Sequence, residues 1–142
     1  MPRPNADEYF LSMLKLVASR GTCARRKVGA ILVSDRNTIL ATGYNGVPSG
    51  IEHCVSVPCE GVFDLPGDSR NCLAVHAEIN ALIQCDRLDL ARTLYTSCVP
   101  CFACGKAIAN TSITRVVAMG GYPDTRSVAL LARVGIKLIV SN

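Results

Sequence analysis

Apolar residues fall at Tyr9, Phe10, Met13, Leu14, Leu16 and Val17, with Asp7 and Glu8 just ahead of them. That is helical spacing with acids in the first turn, and Gly21 is placed to end the segment. The run Val28–Val33 (VGAILV) predicts a buried strand, Ser34–Asn37 a turn, and Thr38–Thr42 a returning strand, so that the three form a hairpin. Residues 43–71 are rich in Gly, Pro, Asp and Ser; Cys54 and Cys59 lie within this stretch and Cys72 at its end. A loop of that length is rarely left untied in a compact domain. Val75, Ile79, Leu82 and Ile83 form a second helical stripe. Thr93–Thr96 then predicts a strand, Pro100 to about Asn110 a helix with Pro in its first turn, Arg115–Met119 a strand, Asp124–Val134 a helix and Lys137–Val140 a strand. Strands alternating with helices argue for an α/β layer fold with parallel pairing in the second half. No repeat or linker interrupts the pattern, and residues 1–142 are expected to form one domain.

Composition narrows the function classes. At 49% apolar the chain can bury a core, which excludes low-complexity disorder. Aromatics are only 5% and Trp is absent, so an aromatic platform for single-stranded nucleic acid is disfavoured. The net charge of +4 suits an anionic small ligand such as a phosphate and is too weak to indicate a nucleic-acid binder. No apolar run reaches membrane-span length, and Met1-Pro2-Arg3-Pro4-Asn5 lacks a signal-peptide core, so a cytoplasmic protein without membrane contact is expected. Eight cysteines in a reducing compartment point to metal ligation rather than disulfides.

The sharpest chemical feature is His76-Ala77-Glu78 followed by Pro100-Cys101-Phe102-Ala103-Cys104. Cys101 and Cys104 are one helical turn apart at a helix start, where the dipole and free N–H groups favour thiolates. With the His76 imidazole they make three ligands. A tetrahedral zinc held so keeps its fourth position open, which separates a catalytic from a structural zinc. Glu78 is two residues from a ligand, is not needed for zinc, and is suited to shuttle protons. His-x-Glu with a later Pro-Cys-x-x-Cys is the known signature of zinc-dependent nucleobase deaminases. Cys98 and Cys101 also form a Cys-x-x-Cys, but Pro100 selects the Cys101/Cys104 register; Cys98 and Cys85 read as buried thiols.

The chain also resembles the deoxycytidylate (dCMP) deaminases of the cytidine deaminase superfamily. The matching stretches are Cys23–Ala30 (CARRKVGA), Thr42–Gly46 (TGYNG) with Pro48 and Gly50, His76–Ala81 (HAEINA), Pro100–Cys104 and Met119–Asp124 (MGGYPD), with a length like that of phage and bacterial members. The chain departs from the family at Ser97-Cys98-Val99, where Thr, a variable residue, then Ser or Glu is usual. The resemblance implies a three-layer α/β/α fold with a central mixed sheet of about five strands. It implies that dCMP and water become dUMP and ammonia, with Glu78 carrying protons to N3 and to the departing amino group. It assigns zinc to His76, Cys101 and Cys104, the backbone at Ala77 to the base edge, and Asn45 to the sugar. By spacing alone, Asn45-Gly46 reads as a plain turn. Arg25 and Arg26 are candidates for the 5′-phosphate, with Arg25 favoured; a charge run of this kind is otherwise a solvated face. Tyr122 is the candidate to pack against the nucleotide.

Cys23 and Cys54 fall where some family members hold a second, structural zinc. Cys59 and Cys72 are the natural additional ligands, with His53 in reserve, giving a closed site that pins the long loop. The resemblance further implies a homo-oligomer, most simply a hexamer, with dCTP as activator and dTTP as inhibitor, commonly with Mg²⁺. Arg87 is the candidate effector contact. Rival readings are a zinc-stapled binding module without catalysis, and a deaminase acting on dCTP, a free nucleoside, guanine or tRNA adenosine. The module would leave Glu78 without purpose, and tRNA would want a larger basic surface.

Overall fold

The computed structural model describes residues 2–65, 70–121 and 124–141. The elements run α1 (Ala6–Ala18), β1 (Gly29–Ser34), β2 (Ile39–Tyr44), α2 (Ala77–Gln84), β3 (Ala91–Thr96), α3 (Phe102–Ala109), β4 (Arg115–Ala118), α4 (Thr125–Arg133) and β5 (Lys137–Val140), with short 3-10 turns at Glu60–Phe63 and Leu88–Leu90. The five strands form one sheet in the order β2-β1-β3-β4-β5. β1 pairs antiparallel with both β2 and β3, while β3, β4 and β5 are parallel, as expected of the βαβ half.

All six residues of β1 are buried, because both faces of the sheet are covered. Ile31 and Val33 point with Tyr95 and Val117 toward Phe10 and Leu14 of α1. Ala30 and Leu32 point the other way, into a core with Ala77, Ala81, Ile108 and Leu131 from α2, α3 and α4. The layers are therefore α1, sheet, and α2–α4. This is the three-layer arrangement implied by the resemblance, with a mixed sheet of five strands.

Element ends follow local chemistry. Asn5 and Glu8 close a reciprocal capping box on α1, with Glu8 N–H donating to Asn5 Oδ1 at 2.8 Å and Asn5 N–H to Glu8 Oε2 at 2.9 Å. Asp7 does more than favour the dipole. It accepts from Tyr95 Oη at 2.6 Å and from Arg115 Nη1 at 2.9 Å, and the second guanidinium arm reaches its other oxygen. This fork ties α1 to β3 and β4; Arg115 holds the Asp7 carboxyl below its ordinary range, while burial and Asp7 push the Tyr95 hydroxyl up to about 12. The second helix begins at Ala77 and not at Val75, because Val75 pairs with Gly46 in an isolated bridge, its N–H on Gly46 O at 2.7 Å. Pro100 lies two residues ahead of α3 and not in its first turn, since Cys101 is extended (φ −67°, ψ 170°) and serves as the N-cap.

Gly43 decides how closely α2 approaches the sheet. A Cβ there would lie 2.4 Å from both Ala77 O and Ala81 N, which are backbone atoms of the helix. Gly43→Ala is therefore expected to cost about 3 kcal/mol in denaturant unfolding and to displace the start of α2, with weaker metal binding as a second readout. A substitution neutral in both would mean that the strand and helix separate freely.

Candidate active site

The site forms where the C-terminal end of β3 meets the N-termini of α2 and α3. His76 is the N-cap of α2 (φ −66°, ψ 149°) and its side chain makes no capping bond, so the ring is available elsewhere. Cys101 caps α3 and its Sγ accepts from Cys104 N–H at 3.5 Å. Nδ1 of His76 lies 3.2 Å from Cys104 Sγ and 3.5 Å from Cys101 Sγ. Among the described residues these three form the one group of His, Cys, Asp or Glu ligand atoms all within 4.8 Å of one another.

The donor set fits a tetrahedral zinc. Zn–S near 2.3 Å and Zn–N near 2.0 Å place tetrahedral ligand atoms roughly 3.5–3.8 Å apart, close to the separations found. Electrostatics agree. Hydrogen bonds from Cys104 and His76 bring the Cys101 thiol down to about 3, so that it is a thiolate. The same bond with Cys101 raises the His76 imidazole. Cys104 is pushed up by its bond to Cys101 and by burial, so it carries the proton that a metal would displace.

Glu78 occupies the first turn of α2 and is only 3% exposed. Burial raises its carboxyl above the ordinary range, against weaker opposing effects of its own backbone N–H, His76 and Cys104. A carboxyl poised toward neutrality beside a metal site is suited to accept and return a proton. Ala77 is fully buried, and as the first helical residue its N–H has no acceptor within the helix.

The remaining candidates divide. Asn45 is buried and is not a plain turn residue: its Oδ1 accepts from Val28 N–H at 2.8 Å and its Nδ2 donates to Arg26 O at 3.0 Å, clamping the loop before β1. Arg25, favoured from the sequence for the phosphate, donates to Gly61 O at 2.7 Å and Leu65 O at 3.3 Å, where it holds the long loop. Arg26 instead donates from Nη2 to Cys98 Sγ at 3.0 Å, and its charge is felt by His76 and Cys98. Carbonyls of the long loop thus engage Arg25, whereas Arg26 is engaged by the sulfur of Cys98. Cys98 is more than a buried thiol, since it faces Arg26, and Cys85 is half-buried against the core. Ser97 joins β3 to β1, its Oγ accepting from Gly29 N–H at 2.9 Å. Tyr122 lies outside the described residues. Arg87 is not an uncommitted cation: it forks onto Asp89 at 3.0 and 2.9 Å on the surface.

All eight cysteines are free of disulfides. Of the four in the second set, Cys54 and Cys59 come together, Sγ to Sγ at 3.7 Å. Cys23 and Cys54 are buried, and Cys59 and Cys72 half-buried. Cys59 is lowered first by a backbone N–H bond from Leu73, with further N–H bonds from Gly61 and Val62. Cys23 Sγ accepts from Arg25 N–H at 3.4 Å and Cys54 Sγ from Cys59 N–H at 3.5 Å.

A layered α/β fold with one imidazole, two thiols and a buried glutamate at helix N-termini defines a metal-dependent hydrolytic enzyme class. Residues 4–120 match the sequence profile of the "Cytidine and deoxycytidylate deaminase zinc-binding region", and the chain belongs to this family. It is 47% identical over 124 residues to a deoxycytidylate deaminase of Mycobacterium phage D29, covering 82% of this chain and 96% of that one. The deoxycytidylate deaminase of Saccharomyces cerevisiae is 40% identical over 140 residues, and the match spans 94% of this chain but only 44% of the yeast protein. A crystal structure of dCMP deaminase from the cyanophage S-TIM5 in complex with dCMP and dUMP superposes with a TM-score of 0.77 at 30% identity, covering 97% of this chain and 98% of that one.

Proposed function

We infer that this chain is a zinc-dependent dCMP deaminase, converting dCMP and water to dUMP and ammonia. The observation that carries the reading is the buried Glu78 beside the His76, Cys101 and Cys104 donor trio, in a chain 47% identical over 82% of its length to a phage deoxycytidylate deaminase. His76, Cys101 and Cys104 hold the zinc, which when bound supplies an activated water as nucleophile. Glu78 is placed to take a proton from the attacking water and deliver it to N3 of the cytosine as the water oxygen bonds to C4. It then carries the second proton to the amino group, the C4–N bond breaks, and ammonia leaves. The free N–H of Ala77 meets the base edge. Arg26 is the cation for the 5′-phosphate, with no carboxylate partner among the described residues, and Asn45 holds the loop that presents it. Ammonia release from deoxycytidine, dCMP, dCTP and a cytidine-containing RNA is the test. The expected order has dCMP first; a preference for dCTP or for RNA would replace this substrate reading, and no release from any would remove the catalytic one.

In this reading Cys23, Cys54, Cys59 and Cys72 would close on a structural zinc, supported by the approach of Cys54 Sγ to Cys59 Sγ at 3.7 Å and by the N–H bonds that lower the Cys59 thiol, although no three of the four sulfurs lie within 4.8 Å of one another. Metal analysis is expected to find two zinc ions per chain and only one in Cys59→Ser, with unfolding at lower denaturant, since a structural zinc contributes folding free energy directly. One equivalent in both proteins removes this site. No described helix is long and apolar enough to cross a membrane, which fits a cytoplasmic setting. Assembly into a homo-oligomer, most simply a hexamer, rests on the family resemblance. Activation by dCTP and inhibition by dTTP with Mg²⁺ rest on the family resemblance, and a triphosphate at Arg87 would have to displace Asp89.

A further inference from the structure

We propose that Cys98 is a positioning residue that aims the Arg26 guanidinium at the site and so sets how strongly the enzyme prefers a nucleotide to its nucleoside. The proposal rests on the reading of Arg26 as the phosphate cation.

Cys98 sits between β3 and α3, three residues before Cys101. Its place is held from two sides. Thr96 Oγ1 donates to Cys98 O at 3.1 Å, and the next residue, Val99, donates its N–H to Gly120 O at 3.1 Å. Gly121, at φ +94°, packs so closely that a Cβ there would lie 2.7 Å from Cys98 Cβ. The backbone and Cβ of Cys98 are therefore held in place. Arg26 donates to its sulfur from Nη2 at 3.0 Å, while the Arg26 carbonyl accepts from the buried Asn45. The long side chain is thus held at its root and at its head, which removes rotamer freedom before any ligand arrives.

The chemical identity of the acceptor matters. Burial keeps the Cys98 thiol above its ordinary range, so the sulfur is neutral at neutral pH. A carboxylate in its place would pair with Arg26 and cancel the charge that a phosphate needs. A neutral sulfur is a weak acceptor, so it orients the guanidinium, leaves its charge intact and leaves the other N–H groups for a planar, two-pronged contact with phosphate oxygens. An aliphatic residue at 98 would pack equally well but would leave the guanidinium to wander in solvent.

The test is steady-state kinetics on dCMP and deoxycytidine for the parent, Cys98→Ala, Cys98→Ser, Arg26→Gln and the double variant Cys98→Ala/Arg26→Gln. Arg26→Gln is expected to lower the dCMP-to-deoxycytidine ratio of kcat/KM by about tenfold to a hundredfold, the loss of charge-assisted bonds. Cys98→Ala is expected to lower the same ratio by about threefold to tenfold, through KM for dCMP, and Cys98→Ser to recover most of it because a hydroxyl also accepts. The double variant is expected to match Arg26→Gln alone, since the thiol acts only through the arginine. Arg26→Lys, which keeps the charge and loses the fork, supplies the same test from the other partner should Cys98→Ala not fold. A Cys98→Ala that slows both substrates equally, or whose effect persists in the Arg26→Gln background, reduces Cys98 to packing and overturns the proposal. An Arg26→Gln with an unchanged ratio overturns the phosphate reading itself, and Cys98 with it.

Discussion

Glu78→Gln is expected to retain zinc and fold while losing about 10⁴-fold in kcat for dCMP, the upper end of what general acid–base catalysis contributes. The upper end applies because one carboxyl serves two transfers, to N3 and to the leaving amino group. Glutamine matches glutamate in shape and accepts hydrogen bonds, but it cannot carry the proton. Glu78 is 3% exposed, so solvent has little access to replace it as a carrier. The stability sign is also defined. A carboxyl raised in the folded protein binds its proton more tightly there than in the unfolded chain. Its ionisation therefore destabilises the fold as pH rises from the unfolded toward the folded value. In the metal-free protein, Glu78→Gln should remove that loss, so its melting temperature at neutral pH should equal or exceed the parent's. Metal analysis, circular dichroism and ammonia release on one preparation check all three parts. A variant within tenfold of the parent rate would falsify the proton-carrier role.

Removal of zinc is expected to abolish turnover outright and to lower thermal stability, with both restored by added Zn²⁺. With free zinc at a hundred times its dissociation constant, the folded state loses about 2.7 kcal/mol when the metal is withdrawn. His76→Ala and Cys104→Ala should reproduce the kinetic loss without recovery on adding metal. The pH dependence follows from the same contacts. In the metal-free site the Cys101 thiolate holds a proton on His76 above its ordinary range, and Cys104 keeps its proton as well. Protons and zinc compete for these atoms, so a chelator should strip the protein more completely at pH 6 than at pH 8. Metal-free protein that still releases ammonia from dCMP would end the zinc reading.

The catalytic constellation was legible because its pieces are local. His76 two residues from Glu78, and two thiols one turn apart after Pro100, match a known signature, whereas the burial of Glu78 appears only in the fold. The strands were legible for the same reason. Val28–Val33 has no polar interruption, and only a strand covered on both faces takes such a run without penalty. The boundaries shifted by one or two residues where a distant partner intervened, as when Gly46 drew Val75 out of the second helix.

What spacing could not settle was which partners two adjacent arginines take. Arg25 and Arg26 are alike in composition and charge. They part because the 60–65 loop presents its carbonyls to Arg25 and the end of β3 delivers Cys98 to Arg26, contacts spanning 36 and 72 residues of chain. The acids show the same division: Asp7 and Glu8 both read as first-turn acids, yet Glu8 caps its own helix while Asp7 reaches Arg115, 108 residues away. By itself, the sequence determined the element order, the metal-ligand triad and the class of chemistry, all of which depend on neighbours within a few turns or strands. The tertiary structure alone decided which partners the polar side chains take, because hydrogen bonds for arginine, asparagine and cysteine are assigned only when the loops close.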